Sequence, residues 1–165
     1  MSKHRPHLAR LAPHIETIAA GDMAEQYGAL CFQYSKENVL KVLLITTRET
    51  RRWMTPKGWA IKGLTGGQVA EREAWEEAGV KGKVKKNTFG YFTYLKVLDD
   101  GETIPSVVEV HLLEVRKQCQ KFPESGQRMI EWMVPEEAVR RVREPELKGL
   151  LMRFSLEHTR PTAAA

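Results

Sequence analysis

The apolar positions of this chain fall into two rhythms. Tyr27 to Tyr34 and Val39 to Thr46 are short hydrophobic runs separated by the polar quartet Ser35-Lys36-Glu37-Asn38. They predict two strands joined by a tight turn, and Val39-Leu40-Lys41-Val42-Leu43-Leu44-Ile45 is apolar enough to be covered on both faces. A helix follows between end signals: Thr65 as N-cap, Gln68 three residues later to complete a capping box, and Gly79 where a left-handed residue would stop it. Phe89 to Leu98 and Pro105 to Val115 read as strands around the turn Asp99-Asp100-Gly101, and Arg128 to Val134 as a further strand. Pro135 opens a helix over Glu136 to Arg143, and Pro145 opens another that runs to about His158. Met1 to about Ile18 reads as a mobile arm or an edge element, and Thr162 to Ala165 as a loose tail. Strands alternating with helices, without a repeat or a linker, predict one α/β unit.

The helix from Thr65 to Gly79 carries the chemistry. At about 100° per residue, Ala70, Ala74, Ala78 and Trp75 share one side, which is expected to pack on the sheet. Glu73, Glu76 and Glu77 share another side, so their carboxylates converge. Such a face is unfavourable on its own, because like charges repel and the last helical turn disfavours anions. Two readings explain it. One is a solvated acidic surface relieved by Arg72 and by Lys81, Lys83, Lys85 and Lys86. The other is a hard divalent cation such as Mg²⁺, which takes oxygen ligands and shares itself with substrate phosphates. The helix alone leaves both open.

Composition narrows the partner more than the fold. The 165 residues suffice for one domain with a core, and 26 Lys plus Arg against 21 Asp plus Glu give a net charge of +5. That excess suits a polyanion, whether a small phosphate-rich substrate or RNA. Cys31 and Cys119 lack metal-ligand spacing, and Cys31 in its apolar run is expected to be a buried, reduced thiol. Neither a signal-peptide core nor a membrane-spanning apolar run is visible, so a cytoplasmic protein without a membrane partner is expected, as a monomer or homodimer.

Gly58, followed by Arg72-Glu73-Ala74-Trp75-Glu76-Glu77-Ala78-Gly79-Val80, resembles the Nudix box: Gly, five residues, Glu, seven residues, then Arg-Glu-U-x-Glu-Glu-x-Gly-U with U aliphatic. Seven of the nine specified positions match outright, and the spacing from Gly58 to Arg72 agrees residue for residue. One position departs: Leu64 stands where the box has its first glutamate. Arg52-Trp53-Met54-Thr55-Pro56-Lys57-Gly58 and Glu131-Trp132-Met133-Val134-Pro135-Glu136-Glu137-Ala138 further resemble the diphosphoinositol polyphosphate phosphohydrolase branch, which also cleaves diadenosine polyphosphates.

The resemblance implies an α/β/α sandwich with a central mixed sheet, built as a Nudix hydrolase domain over residues 21–160 behind an N-terminal arm of residues 1–20. It implies divalent-metal-dependent hydrolysis of a phosphoanhydride bond in a nucleoside diphosphate linked to a further group, with Mg²⁺ or Mn²⁺ as cofactor. A dinucleoside polyphosphate or a diphosphoinositol polyphosphate is the expected substrate. The alternatives are an RNA 5′ pyrophosphohydrolase and a non-catalytic nucleotide sensor, the latter prompted by Leu64. Carried over by position, Glu73, Glu76, Glu77 and the backbone carbonyl of Lys57 hold the metal, with Glu73 also a candidate base. Arg72 orients the glutamates, and Glu124 or Glu131 is expected to add a carboxylate. Arg48, Arg52, Lys57, Gly58 and Lys62, together with Arg51, form the expected phosphate-binding surface. Trp59 is expected to pack rather than to stack on a base. Leu64→Glu is expected to tighten metal binding.

Overall fold

The β1 strand, Ala24–Tyr34, is long enough to be shared along its length by several partners, and this organises the molecule. The computed structural model describes residues 7–161. On one edge β1 pairs antiparallel with β2 (Leu40–Thr46) through Phe32↔Val42, and nearer its start with the three-residue β4 (Lys57–Trp59) through Tyr27↔Gly58. On its other edge β1 runs parallel to β7 (Thr103–Gln118), from Ala24↔Ser106 to Phe32↔Glu114. β7 in turn pairs antiparallel with β6 (Gly90–Val97) near its start and with β5 (Val80–Val84) near its end. The short β3 (Trp53–Met54) and β8 (Ile130–Met133) both pair antiparallel with β2. The result is one mixed sheet of eight strands.

Alternation along the central strands divides the core between the two faces. Leu30, Phe32, Val42, Leu44, Val108 and Val110 point to one side and meet α4 (Pro135–Arg141) and α5 (Pro145–His158) through Ala138, Leu147, Leu151 and Phe154. Ala29, Cys31, Leu43, Ile45 and Leu113 point to the other and meet α3 (Gly66–Ala78) through Ala70, Ala74 and Ala78. Because successive side chains leave a strand on opposite sides, a strand covered on both faces has to be apolar throughout. This is the α/β/α sandwich. Burial also pushes the Cys31 thiol up to about 12, as expected for a reduced core cysteine.

The helix ends follow the predicted chemistry. Thr65 Oγ1 accepts the Gln68 N–H at 3.2 Å while Gln68 Oε1 accepts the Thr65 N–H at 2.8 Å, and Gly79 takes φ 69°. Strand bounds differ more. β1 begins at Ala24, where Ser106 of β7 pairs with it, and β7 extends to Gln118, where Val80 of β5 does, so a neighbouring strand sustains each beyond its hydrophobic stretch. The lysine-bearing segment after α3 proves to be β5, in which exposed Lys81 and Lys83 alternate with the strand's inner residues. Gly82 lies at a bulge against the Glu114 backbone, where any Cβ would overlap the partner strand. In the N-terminal region, His7–Leu11 and Ile15–Ala19 are short helices, α1 and α2, flanking a 3₁₀ turn at Ala12–His14, rather than an edge strand. The start of the expected arm and the tail from Thr162 lie outside the described residues. Among those described, no helix is long and apolar enough to cross a membrane.

Candidate active site

α3 packs on the sheet through alanines, and alanine lets its axis lie close. This brings the acidic side of the helix over β4, the strand that carries Gly58. A methyl group at Gly58 would overlap the Glu73 carboxyl group, so the carboxylate occupies the space that only glycine leaves free. One turn further on, Glu77 is 7% exposed and faces the same strand. Its Oε2 accepts the Lys57 N–H at 3.4 Å. In an extended strand the N–H and C=O of one residue point to the same side, so the Lys57 carbonyl faces the glutamates as well.

Glu77 is the least expected of these residues. Its place is inside, where Arg128 reaches it at 3.4 Å and also reaches Glu124 at 3.1 Å. The Arg128 side chain is 8% exposed, so this guanidinium is a buried counter-charge between two acids. The Glu124 N–H donates to the Glu76 carbonyl at 3.0 Å and fixes the Glu124 loop to the end of α3. Glu76 lies further out, and Arg72 Nε donates to it at 3.0 Å. Trp75 turns away from the sheet, placing its ring against Phe122 and under Lys81 Nζ.

The electrostatics follow the burial. Glu73 is pushed up to about 7, first by desolvation and then by the neighbouring charges of Glu77, Glu76 and Glu124. Burial also raises Glu77, against the opposing pull of Lys57 and Arg128. Lys57 is lowered to about 8 by burial, and its ammonium lies 4.8 Å from the centre of the Tyr94 ring. A solvated acidic face would show none of these shifts.

These groups line a cavity of about 350 Å³. Glu73, Glu76, Glu77 and Glu124 supply its acidic side, and Arg48, Arg52 and Lys57 supply positive charge. Arg52 is anchored from behind by Glu144, itself 1% exposed, at 2.5 Å. Arg48 is held more loosely by Gln127 at 3.2 Å and Glu124 at 3.7 Å. Among the described residues, no three His, Cys, Asp or Glu side chains close into a ready-made metal cage. The donors are nonetheless all oxygens, with Glu73 and Glu77 one helical turn apart on the same side of α3. That set fits a hard cation that keeps several waters and borrows phosphate oxygens.

No family model matches the chain. Over 117 residues it is 30% identical to Nudix hydrolase 16, mitochondrial, of Arabidopsis thaliana, across 69% of this chain and 64% of that protein. Over 114 residues it is 31% identical to human diphosphoinositol polyphosphate phosphohydrolase 3-alpha, across 67% of this chain and 64% of that protein. The chain belongs to the Nudix superfamily. It spans just under two thirds of the length of these curated relatives. A Caenorhabditis elegans Ap4A hydrolase shares the fold, with a TM-score of 0.61 at 20% identity over 82% of this chain and 97% of the other.

Of the residues singled out from the sequence, the Nudix cavity gathers Arg48, Arg52, Lys57, Gly58, Glu73, Glu76, Glu77 and Glu124. Arg72 stands at its edge, on Glu76. Three others lie elsewhere. Lys62 is an exposed turn residue outside the lining, and Arg51 is likewise exposed and outside it. Glu131 lies on β8, bound to Arg141 at 2.9 Å. Of the two later carboxylates, the cavity therefore takes Glu124, because the loop that bears it folds back on α3 whereas β8 carries Glu131 away. Leu64, 37% exposed, is also outside the lining. A calorimetric Mn²⁺ titration of Leu64→Glu tests the expected tightening of metal binding. An unchanged Mn²⁺ affinity would contradict a ligand role for that position.

Sequence reasoning passed over Arg128, Gln26, Tyr94, Lys96 and the placement of Trp59. Arg128 carries no local signal, since its pairing with Glu77 spans 51 positions of sequence and exists only once the sheet is formed. Trp59 is not packed away but stands 44% exposed in the cavity lining.

Proposed function

We propose that this Nudix chain hydrolyses a phosphoanhydride bond in a nucleoside diphosphate linked to a further group, with a dinucleoside polyphosphate or a diphosphoinositol polyphosphate as substrate. The observation that carries the reading is the Glu73 carboxylate seated over Gly58, beside buried Glu77, in a cavity that also holds Arg48 and Arg52. Similarity to diphosphoinositol polyphosphate phosphohydrolase 3-alpha supports a substrate with adjoining phosphates.

Glu73, Glu76, Glu77 and the Lys57 carbonyl would hold Mg²⁺ or Mn²⁺, with Glu124 close enough to complete the set through water. Bound there, the cation neutralises phosphate charge and lowers the pKa of an attacking water. Arg52, fixed by Glu144, and Arg48 take up further phosphate charge. Glu73, near neutrality in its pKa, is suited to accept a proton at working pH. Arg128 pulls Glu77 toward its ionised form against the effect of burial, and Arg72 holds Glu76 at the opening. A cytoplasmic location belongs to the same proposal, since both cysteines are free thiols.

The test is a panel of dinucleoside polyphosphates, inositol pyrophosphates, nucleoside diphosphate sugars and triphosphorylated RNA with Mg²⁺ or Mn²⁺. Wild type should turn over at least one class, and Glu76→Gln and Glu77→Gln should each lose at least about a hundredfold in kcat/KM. Wild type and both variants equally inert on every substrate would remove the hydrolase reading. Turnover confined to RNA would transfer it to the 5′ end of a transcript.

A further inference from the structure

Trp59 is a conspicuous exposure. Its neighbour Gly58 is held in the strand pairing with β1, yet the indole beside it remains 44% exposed. Ile15, Leu64, Tyr91, Met129, Met152 and Leu156 are the other large hydrophobics left exposed among the described residues, and none of them lines the cavity. An isolated exposed side chain on a convex surface needs no explanation, whereas a half-open indole inside a concave polar site does.

Its surroundings are also unlike the rest of the lining. Ala60 and Ile61 follow it, and Leu95 and Val97 from β6 join them, so this part of the cavity is apolar. Lys96 lies between those two and places its ammonium 5.3 Å from the centre of the Trp59 ring. That contact holds the ring through its π face and sets a cation next to it. The lining also carries charge, with Arg48 and Arg52 among its cations and Glu73, Glu76, Glu77 and Glu124 among its acids. The cavity therefore joins an aromatic, apolar part around Trp59 to charged groups that suit phosphate.

A substrate matched to this combination is flat and aromatic at one end and anionic at the other. An inositol ring is saturated and bears charged phosphates around its rim, so it meets an indole only through C–H groups and gains less from Trp59, Ile61, Leu95 and Val97 than a flat base does. We infer that Trp59 is the platform for a nucleobase, which makes the substrate a nucleoside polyphosphate rather than an inositol pyrophosphate. The inference rests on the hydrolase reading for the fate of that substrate, but not for its binding. The base lies against the indole, the adjoining phosphates extend past Lys96 toward Arg48 and Arg52, and the bond to be cut lies over Glu73.

Calorimetric titration in EDTA tests this without turnover, using diadenosine tetraphosphate and, as a ligand without a base, inorganic tripolyphosphate. Stacking on an aromatic side chain contributes enough that Trp59→Ala should weaken diadenosine tetraphosphate binding roughly ten- to a hundredfold. Trp59→Phe should recover most of it, to within about fivefold of wild type. Tripolyphosphate should bind all three proteins alike. In turnover, Trp59→Ala should raise KM for the dinucleotide with kcat within about twofold. Unchanged dinucleotide affinity in Trp59→Ala, an equal loss for both ligands, or no binding of the dinucleotide to wild type would each overturn the inference. The hydrolase reading fails separately: a wild type that binds the dinucleotide through Trp59 but cuts nothing keeps the platform and loses the chemistry. One that cuts only inositol pyrophosphates, with Trp59→Ala unaffected, does the reverse.

Discussion

Gly58→Ala is expected to leave the protein folded and to remove most of its activity. The added methyl group meets the end of the Glu73 side chain rather than any backbone, and a carboxylate on a flexible chain can rotate aside. Gly58 does not have a positive φ, so alanine is tolerated there without backbone strain. The cost in stability should stay under about 1 kcal/mol, a fall in Tm of roughly 2–4 °C. The cost in function is different in kind. Glu73 would leave the position it shares with Glu77, and a displacement of about 1 Å in a reacting group can cost about a hundredfold. A loss of at least about that size in kcat/KM, with weaker Mn²⁺ binding, is the expected result, read from steady-state kinetics and thermal melting of the same preparation. Activity within tenfold of wild type would show that Glu73 does not need the space above Gly58.

Arg128→Ala should have the opposite signature, a large loss of stability that depends on pH. The guanidinium is the buried counter-charge for Glu77, and breaking such a pair typically costs about 3–5 kcal/mol because the remaining charge stays in the interior. For a chain of this length that corresponds to a fall in Tm of roughly 6–20 °C. Glu77 can escape the penalty by taking up a proton, and that fixes the sign of the pH dependence. Burial already holds its folded-state pKa above the usual carboxylate value, so this group favours folding most at low pH, and that contribution is lost as pH rises through the folded pKa. Removing Arg128 raises that pKa further. The difference in Tm between variant and wild type, measured in EDTA, should therefore be large at pH 8 and small near pH 4.5. A difference independent of pH would mean that Arg128 acts through packing and not through the charge of Glu77. Glu73, pushed up to about 7, adds the same trend to the metal-free wild type, which should melt lower at pH 8 than at pH 5. Because a cation displaces that proton, added Mg²⁺ should raise Tm more at pH 8 than at pH 5.

Both expectations turn on how local pattern and tertiary placement share the work. Period and turn chemistry determined the principal strands, the capped helix from Thr65 to Gly79 and the two C-terminal helices, because each signal lies within a few residues of what it specifies. The same spacing put Glu73, Glu76 and Glu77 on one side of a helix, and the box around them pointed to phosphate chemistry. β5 was less legible: its lysines look like a solvated tail until β7 lends it an edge. The two-residue β3 and three-residue β4 carry too few positions to show any period.

The tertiary structure decided which of these residues share a space. Glu124 and Glu131 are equivalent in sequence terms, yet one folds back on α3 and the other leaves with β8. Leu64 and Lys62 lie inside the motif's span and outside the cavity, since a motif records spacing along the chain and not distance through space. Glu77 reads as surface charge on a helical projection, but Ala70, Ala74 and Ala78 draw the helix so close to the sheet that its neighbour is buried. Arg128, drawn from a distant segment, then became necessary as its counter-charge. Burial and long-range pairing depend on every element at once, and no local window of sequence contains them.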